Sequence, residues 1–340
     1  KEVAVFSRQF ATMISAGLTL LRSLSILVSQ TENKHFATVI DQLRLDIESG
    51  SSLSQALARH PKQFNRLFVA MVRAGETGGN LDLTLQQLST TIEKQVELRG
   101  KIRSALAYPI VVLALVLCIL TAMLVFIVPI FKKMYAELNG TLPAMTRGLI
   151  AISNIVVNWF PFVIVGMILA VVGLRKWIST EKGRAVWDRL KLRVPVFGGL
   201  VRKTAMARFA STLSTLMRSG VPVLEALEIT AETVGNVVVA EGVGAIAEGA
   251  KAGEPLTGRL AAHPVFPPMV TQMMAVGEET GALDELLARV ATFYEAEVEA
   301  TVDALTSLLE PLLIVVLGGA VGTMVISLYL PMFDIIKLIN

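Results

Sequence analysis

Apolar residues recur at helical spacing along most of the chain. Phe6, Phe10, Met13 and Ile14 share one helix face, as do Phe36, Val39, Ile40, Leu43 and Ile47. No stretch alternates with the two-residue period of a strand. Breaks at Gly17, Ser49-Gly50, His60-Pro61 and the turn beginning at Gly75 divide the first half into about six helices, counting the long one after Leu81. Their apolar stripes imply an antiparallel bundle. In the last helix Leu81, Leu85, Leu88, Ile92 and Val96 carry one stripe into a longer apolar run, with Gly100 and Pro109 as candidate bends.

Three runs carry no formal charge: 104–131, 148–174 and 311–333. Each exceeds the roughly 20 residues that a spanning helix needs, and none shows the regular polar positions of a soluble helix. Basic residues set the orientation. Lys94, Arg99, Lys101 and Arg103 precede the first run, and a further cluster that opens with Arg175 and Lys176 follows the second. Both flanks are therefore expected on the cytoplasmic side. The loop between these runs carries only Lys132, Lys133 and Arg147, which favours its placement outside.

An internal repeat supplies the rest of the topology. "GETGGNLD" from Gly75 returns as "GEETGALD" from Gly277, an offset of 202 residues. Pro109 and Pro129 bracket the first apolar run as Pro311 and Pro331 bracket the third, and Thr121 matches Thr323. "MISAGLTLLRSL" from Met13 pairs with "LMRSGVPVLEAL" from Leu216, and His60-Pro61 with His263-Pro264, at an offset of 203. The chain reads as two copies of one unit, a helical bundle followed by a spanning helix. Two copies inserted in the same direction need one return crossing, which is the middle run.

The expected class is thus an all-α membrane protein: a cytoplasmic bundle over 1–103, a spanning helix over 104–131, an outer loop over 132–147 and a return helix over 148–174. A second cytoplasmic bundle follows over 175–308, then a third spanning helix over 309–333 and an extracytoplasmic tail over 334–340. The amino terminus is expected in the cytoplasm and the carboxyl terminus outside.

Composition agrees with a chain that is part membrane and part aqueous. It has 340 residues, 53% of them hydrophobic and 17% charged, with a mean hydropathy of +0.62. The net charge of +3 is spread along the chain and gives no case for a nucleic-acid partner. Cys118 is the single cysteine, so no internal disulfide forms; inside an apolar run it reads as a small buried hydrophobe. No secretory signal is evident at the start.

The glycine-rich turns invite a phosphate-binding reading, but neither has the Lys and hydroxyl that a P-loop places after its last glycine. The structural reading expects Gly75 and Gly277 to end a helix in the left-handed conformation, with Asp82 and Asp284 favoured in the first turn of the next helix. Glu76 and Glu278 are then candidates either to cap free backbone amides or to contact a partner protein. The histidines are His35, His60 and His263, the last two beside prolines, and no HExxH motif is present. No catalytic, cofactor or metal site is expected. Glu310, opposite Tyr108 in the repeat, sits at the edge of the third run, where it snorkels or pairs at a helix interface. Gly318 and Gly322 form a Gly-x-x-x-Gly pair in that run, expected to let another helix approach closely, with the third span central and the first peripheral.

These residues resemble the type II secretion F family. The resemblance rests on the duplicated bundle and the two Gly-Glu turns, on "FSRQFATMISAGL" from Phe6 and "VPVFGGLVRKTAMARFASTLSTLMRSGVPVLEAL" from Val194, and on the ending "LEPLLIVVLGG" with "YLPMF". It covers essentially the entire chain. "TLPAMTRGL" and "LYLPMFDIIKLI" look closer to its pilus branch. The resemblance implies a non-enzymatic inner-membrane platform of a type IV pilus or type II secretion machine, with no cofactor of its own. Implied partners are a hexameric assembly or retraction ATPase, pilin or pseudopilin subunits, other inner-membrane assembly proteins, membrane lipid and further copies of the chain. Family members usually carry further N-terminal residues, so a chain opening at Lys1 is expected to be a truncated form. The competing reading is a small-solute transporter built of parallel repeats, disfavoured because the runs hold no charged relay and most of the repeat is soluble.

Overall fold

The computed structural model describes residues 2–130, 133, 144–195 and 197–339, and every regular element among them is helical. Five short helices open the chain: α1 (Glu2–Ser15), α2 (Leu20–Gln30), α3 (Lys34–Glu48), α4 (Leu53–Ala58) and α5 (Arg66–Gly78). The long α6 (Leu81–Ala122) runs unbroken through Gly100 and Pro109 into a π-helical turn at Met123–Ile127. Then come α7 (Ala144–Ile178), α8 (Glu181–Arg193) and α9 (Phe197–Arg218). The series ends with α10 (Val223–Thr233), α11 (Val237–Lys251), α12 (Leu256–Ala261), α13 (Pro268–Thr280) and α14 (Leu283–Ile339).

The helices of the two halves correspond in length: α2 to α5 run 11, 15, 6 and 13 residues, and α10 to α13 run 11, 15, 6 and 13. Their N-caps fall at the repeat offset too. Thr19, Asn33, Ser52 and Asn65 each accept an amide of their helix. At the matching positions stand Pro222, Asn236, Pro255 and Pro267, of which only Asn236 caps with its side chain. Proline offers no side-chain acceptor, but it fixes φ near the value that helix entry requires and lowers the entropy lost on folding. The break before Asn33 lacks any glycine or proline, and Asn33 is its only sequence signal: its side chain takes the amides of His35 and Phe36.

Two compact units are distinguished, one from Lys1–Lys101 with Ala185–Thr301, the other from Ile102–Arg184 with Val302–Asn340. The first has one continuous apolar core shared by both halves. Aromatic rings pair within it. Phe6 and Phe64 stand 5.6 Å apart in the first half, and their repeat counterparts Phe209 and Phe266 stand 5.5 Å apart in the second.

The halves meet along a polar seam. Across it Arg73 faces Glu225 at 3.6 Å, Arg66 pairs with Glu232, Thr91 and Thr215 share a hydroxyl contact of 3.1 Å, and Ser219 donates to Gln87. Nearer the end of the unit Lys94 faces Glu295 at 3.7 Å and Lys101 binds Glu299 at 2.5 Å. The carboxylates of Glu299 and Glu97 hold the Lys101 ammonium above its ordinary range. The ion pairs among them are largely exposed, so they add little to stability.

In the second unit, α6 and the π turn pack against α7. A π turn leaves a carbonyl out of the i→i−4 ladder, and the Ser153 hydroxyl of α7 donates to the carbonyl of Leu124 at 2.5 Å. Around this bond Val128, Ile150 and Met324 form a small buried cluster with Leu120 and Met123 beside it. The cluster takes one buried residue from each apolar run, and its partly buried neighbours lie on the first. A methyl group built on Gly318 or Gly322 would meet nothing within 4 Å among the described residues. Cys118 is exposed on the α6 surface rather than buried. Two helical stretches, Leu81–Ile130 and Leu283–Ser327, are long and apolar enough to cross a membrane among the described residues. The middle run lies within the 35-residue α7. Most of the expected outer loop, including Lys132, falls outside the described residues, and no side chain beyond Tyr329 is described.

Candidate functional site

The duplicated turn begins where Asn65 starts α5 by accepting the amide of Phe68. The helix then runs through Gly75, Glu76 and Thr77 and stops at Gly79, whose φ of 69° is left-handed. In the second copy α13 runs through Gly277 and Glu278 to Gly281 at φ 71°. The left-handed caps thus fall on Gly79 and Gly281, four residues after the glycines expected to hold them. Gly75 and Gly277 lie inside helices and are small for another reason. A methyl group built on Gly75 would stand 2.9 Å from Thr84 Cβ and 3.1 Å from Leu81 Cα. On Gly277 it would stand 2.8 Å from Leu283 Cα. Each glycine is the place where the departing helix presses on the first turn of the next, and that closeness leaves no room for a side chain.

Glu76 turns towards the start of α4. Its Oε1 accepts the Leu53 amide at 2.6 Å, and its Oε2 accepts the Ser54 amide at 3.2 Å and the Ser54 hydroxyl at 2.5 Å. The next amide, of Gln55, goes to Ser52 within a capping box. The first three free amides of α4 are therefore satisfied, two of them by a carboxylate that the helix dipole favours there. Glu278 repeats the arrangement on α12. Its Oε1 accepts the Leu256 amide at 2.9 Å and its Oε2 the Thr257 hydroxyl at 3.4 Å. Because Pro255 provides no side-chain cap, Glu278 is the polar group that serves this helix end. Just upstream, Arg259 grips Glu254 with two nitrogens and holds that carboxyl below its ordinary range.

What this geometry does is lock a six-residue helix against the end of the helix that follows it. Sequence reasoning named the glutamates but not the acceptor helix. The signal was present in the Ser-x-x-Gln of 52–55. Asp82 opens α6 as expected, and Asp284 opens α14, where it faces Arg218 at 3.5 Å. His60 and His263 sit at helix ends, their amides donating to Leu57 and Leu260. No group of three metal-ligating side chains occurs among the described residues. Glu310 is exposed on α14, in the other unit, without an ion-pair partner among the described residues. Gly318 and Gly322 lie further along the same helix.

Comparison with known proteins matches the same duplication. The family described as type II secretion system (T2SS), protein F, is found over residues 6–129 and again over 209–331. The chain is 50% identical over 338 residues to the type IV pilus assembly protein PilC of Thermus thermophilus, covering 99% of this chain and 83% of that protein. With PilC of Myxococcus xanthus the identity is 43% over 340 residues, covering 98% and 80%. With the type II secretion system protein F of Xanthomonas campestris it is 38% over 339 residues, covering 98% and 83%. Each family match ends within an apolar run and contains one Gly-Glu turn, so the profile, the turns and the paired helix lengths all divide the sequence in the same way: the chain belongs to the type II secretion system protein F family.

Proposed function

We propose that this chain is the inner-membrane platform of a type IV pilus or type II secretion machine. Its two bundles are copies of one unit on the cytoplasmic side, where they engage an assembly or retraction ATPase. Its three apolar helices cross the membrane and receive pilin or pseudopilin subunits during insertion or extraction. The observation that carries this reading is the near-full-length likeness to proteins named for pilus assembly and type II secretion. The continuity of α6 and α14 from bundle to apolar run supports a mechanical role, because an unbroken helix transmits a displacement at one end to the other. The glutamate turns stiffen each bundle for that task, and the chain itself is not an enzyme. Gly318 and Gly322 form a helix-contact face in the third span, and Glu310 marks its cytoplasmic edge.

Affinity purification of the tagged full chain from cross-linked native membranes tests the assignment. A hexameric ATPase together with pilin-type subunits is the expected yield. Recovery of neither, from membranes that make fibres, overturns it.

A further inference from the structure

The chain turns from α7 into α8 through a tight corner. Thr180 donates its hydroxyl to the Trp177 carbonyl at 2.6 Å and accepts the Gly183 amide at 3.1 Å. A methyl group built on Gly183 would run into that same carbonyl, so a residue without a side chain lets the first turn of α8 close against the end of α7. Trp177 is exposed and follows Arg175 and Lys176 directly, the mix of an amphipathic ring and cations that marks a membrane–water boundary. Further along, α8 is pinned from one side. Asp188 is buried: its carboxylate accepts the Val237 amide at 3.1 Å and the Lys191 ammonium at 3.0 Å, and its carbonyl accepts the Asn236 side-chain amide at 3.4 Å. At helical spacing Val186 and Leu190 fall opposite Asp188, where they are 52% and 51% exposed. Arg193 shares their face. We infer that this outward face of α8 lies on the cytoplasmic surface of the bilayer and binds anionic phospholipid.

Charge and shape select this occupant. Of the ionisable side chains on α8 five are basic and two acidic, and one of the two acids, Asp188, is turned inward. The negative inner leaflet attracts such a segment, and apolar side chains between its cations bury themselves among the headgroups. At the joint between α8 and α9 a cleft of about 470 Å³ sets Val194, Val238 and Val265 beside Arg193 and Arg202. Neither arginine has an ion-pair partner among the described residues. A guanidinium matches a phosphate through paired hydrogen bonds, while valines suit the glycerol and acyl part of the same molecule. A free phosphate would satisfy the arginines and leave the apolar lining wet. An amphipathic anion satisfies both. The inference rests on the membrane placement of the proposed function and adds to it a second contact with the bilayer, made by the surface of the chain rather than by its spanning helices.

The test uses the full chain with Cys118→Ser, reconstituted in vesicles of phosphatidylcholine alone or mixed equally with phosphatidylglycerol. A fluorophore on Leu190→Cys reports on α8, and one on Leu169→Cys, exposed in the middle run, reports on spanning. Nitroxide-labelled lipid should quench both in the mixed vesicles. In phosphatidylcholine alone, or with Arg193→Glu and Arg202→Glu together, quenching at Leu190→Cys should fall at least about threefold, while quenching at Leu169→Cys stays. Thermal unfolding in detergent checks that the substituted chains fold. Quenching at Leu169→Cys with none at Leu190→Cys overturns the inference and leaves the membrane placement standing, whereas quenching at neither overturns both. Quenching at Leu190→Cys that ignores lipid charge and the two arginines overturns the anionic recognition. Shielding of Leu190→Cys from a water-soluble thiol reagent only when cytoplasmic proteins are added assigns the face to a protein and overturns the inference.

Discussion

At the residue scale, the duplicated turn separates two uses of glycine that a sequence motif merges. Gly79 and Gly281 are needed for their backbone angles, Gly75 and Gly277 for the volume they leave free. The distinction is measurable. Gly79→Ala should cost about 1–2 kcal/mol through the left-handed conformation, whereas Gly277→Ala should cost about 1–3 kcal/mol because the obstructing atom is backbone and cannot rotate away. Gly75→Ala meets chiefly the Thr84 side chain, and Thr84→Ala should recover part of its loss, while no such rescue is expected for Gly79→Ala. Thermal unfolding of the four variants reads out the pattern. Glu76 was legible as a capping candidate from its place beside Gly75, which the sequence motif presents as a helix end although the helix runs on to Gly79. Its partner helix was not, because a contact across 22 residues leaves no periodic trace. Glu76→Ala should destabilise by about 1.5–3 kcal/mol, the range for hydrogen bonds to charged groups. Unchanged stability with lost fibre assembly would instead make the side chain a partner contact.

At the scale of elements, the pattern of apolar positions revealed nearly all the helices, because each buries one stripe. It failed where polar chemistry decides. The start of α3 depends on the Asn33 side chain, and the π turn depends on a serine supplied by another helix. Since a π turn has no apolar period of its own, 123–127 read as ordinary spanning helix. Ser153 now explains why that turn is tolerated. Ser153→Ala should cost about 0.6–2 kcal/mol in a bilayer-like medium, the range measured for hydroxyl bonds between spanning helices. Ser153→Cys keeps the size and only a weak donor, and it should fall between. Denaturant titration in detergent micelles distinguishes them, and an Ala variant as stable as the parent would show that Leu124 finds another donor. Gly318 and Gly322 make the opposite case: a small-residue spacing is readable in sequence, and a methyl group built on either glycine would meet nothing within 4 Å among the described residues. Gly322→Leu should leave the folding of one copy intact and reduce its association with other helices, as seen by native-gel size after mild extraction.

At the scale of the molecule, the same duplication that gives paired helices and paired turns predicts an odd number of crossings. If the copies enter the membrane in the same direction, a single intervening helix must bring the chain back, and α7, at 35 residues, is long enough to do so. Basic residues bias the same topology, since Arg175 and Lys176 sit in the last turn of α7, where the helix dipole also favours them. The alternative, in which the middle run lies along the surface, reverses the second copy and puts its bundle outside. Such a placement conflicts with the seam, because the core and the ion pairs shared by the halves require both bundles on one side of the membrane. A reporter active only outside the cytoplasm, fused after Asn340, should therefore be active, and the same reporter inserted at Gly253 in the turn after α11 should be silent. A cytoplasmic reporter should give the reverse. Activity of the outer reporter at Gly253 would mean that the halves do not share a compartment, and the seam and the platform assignment would have to be abandoned together.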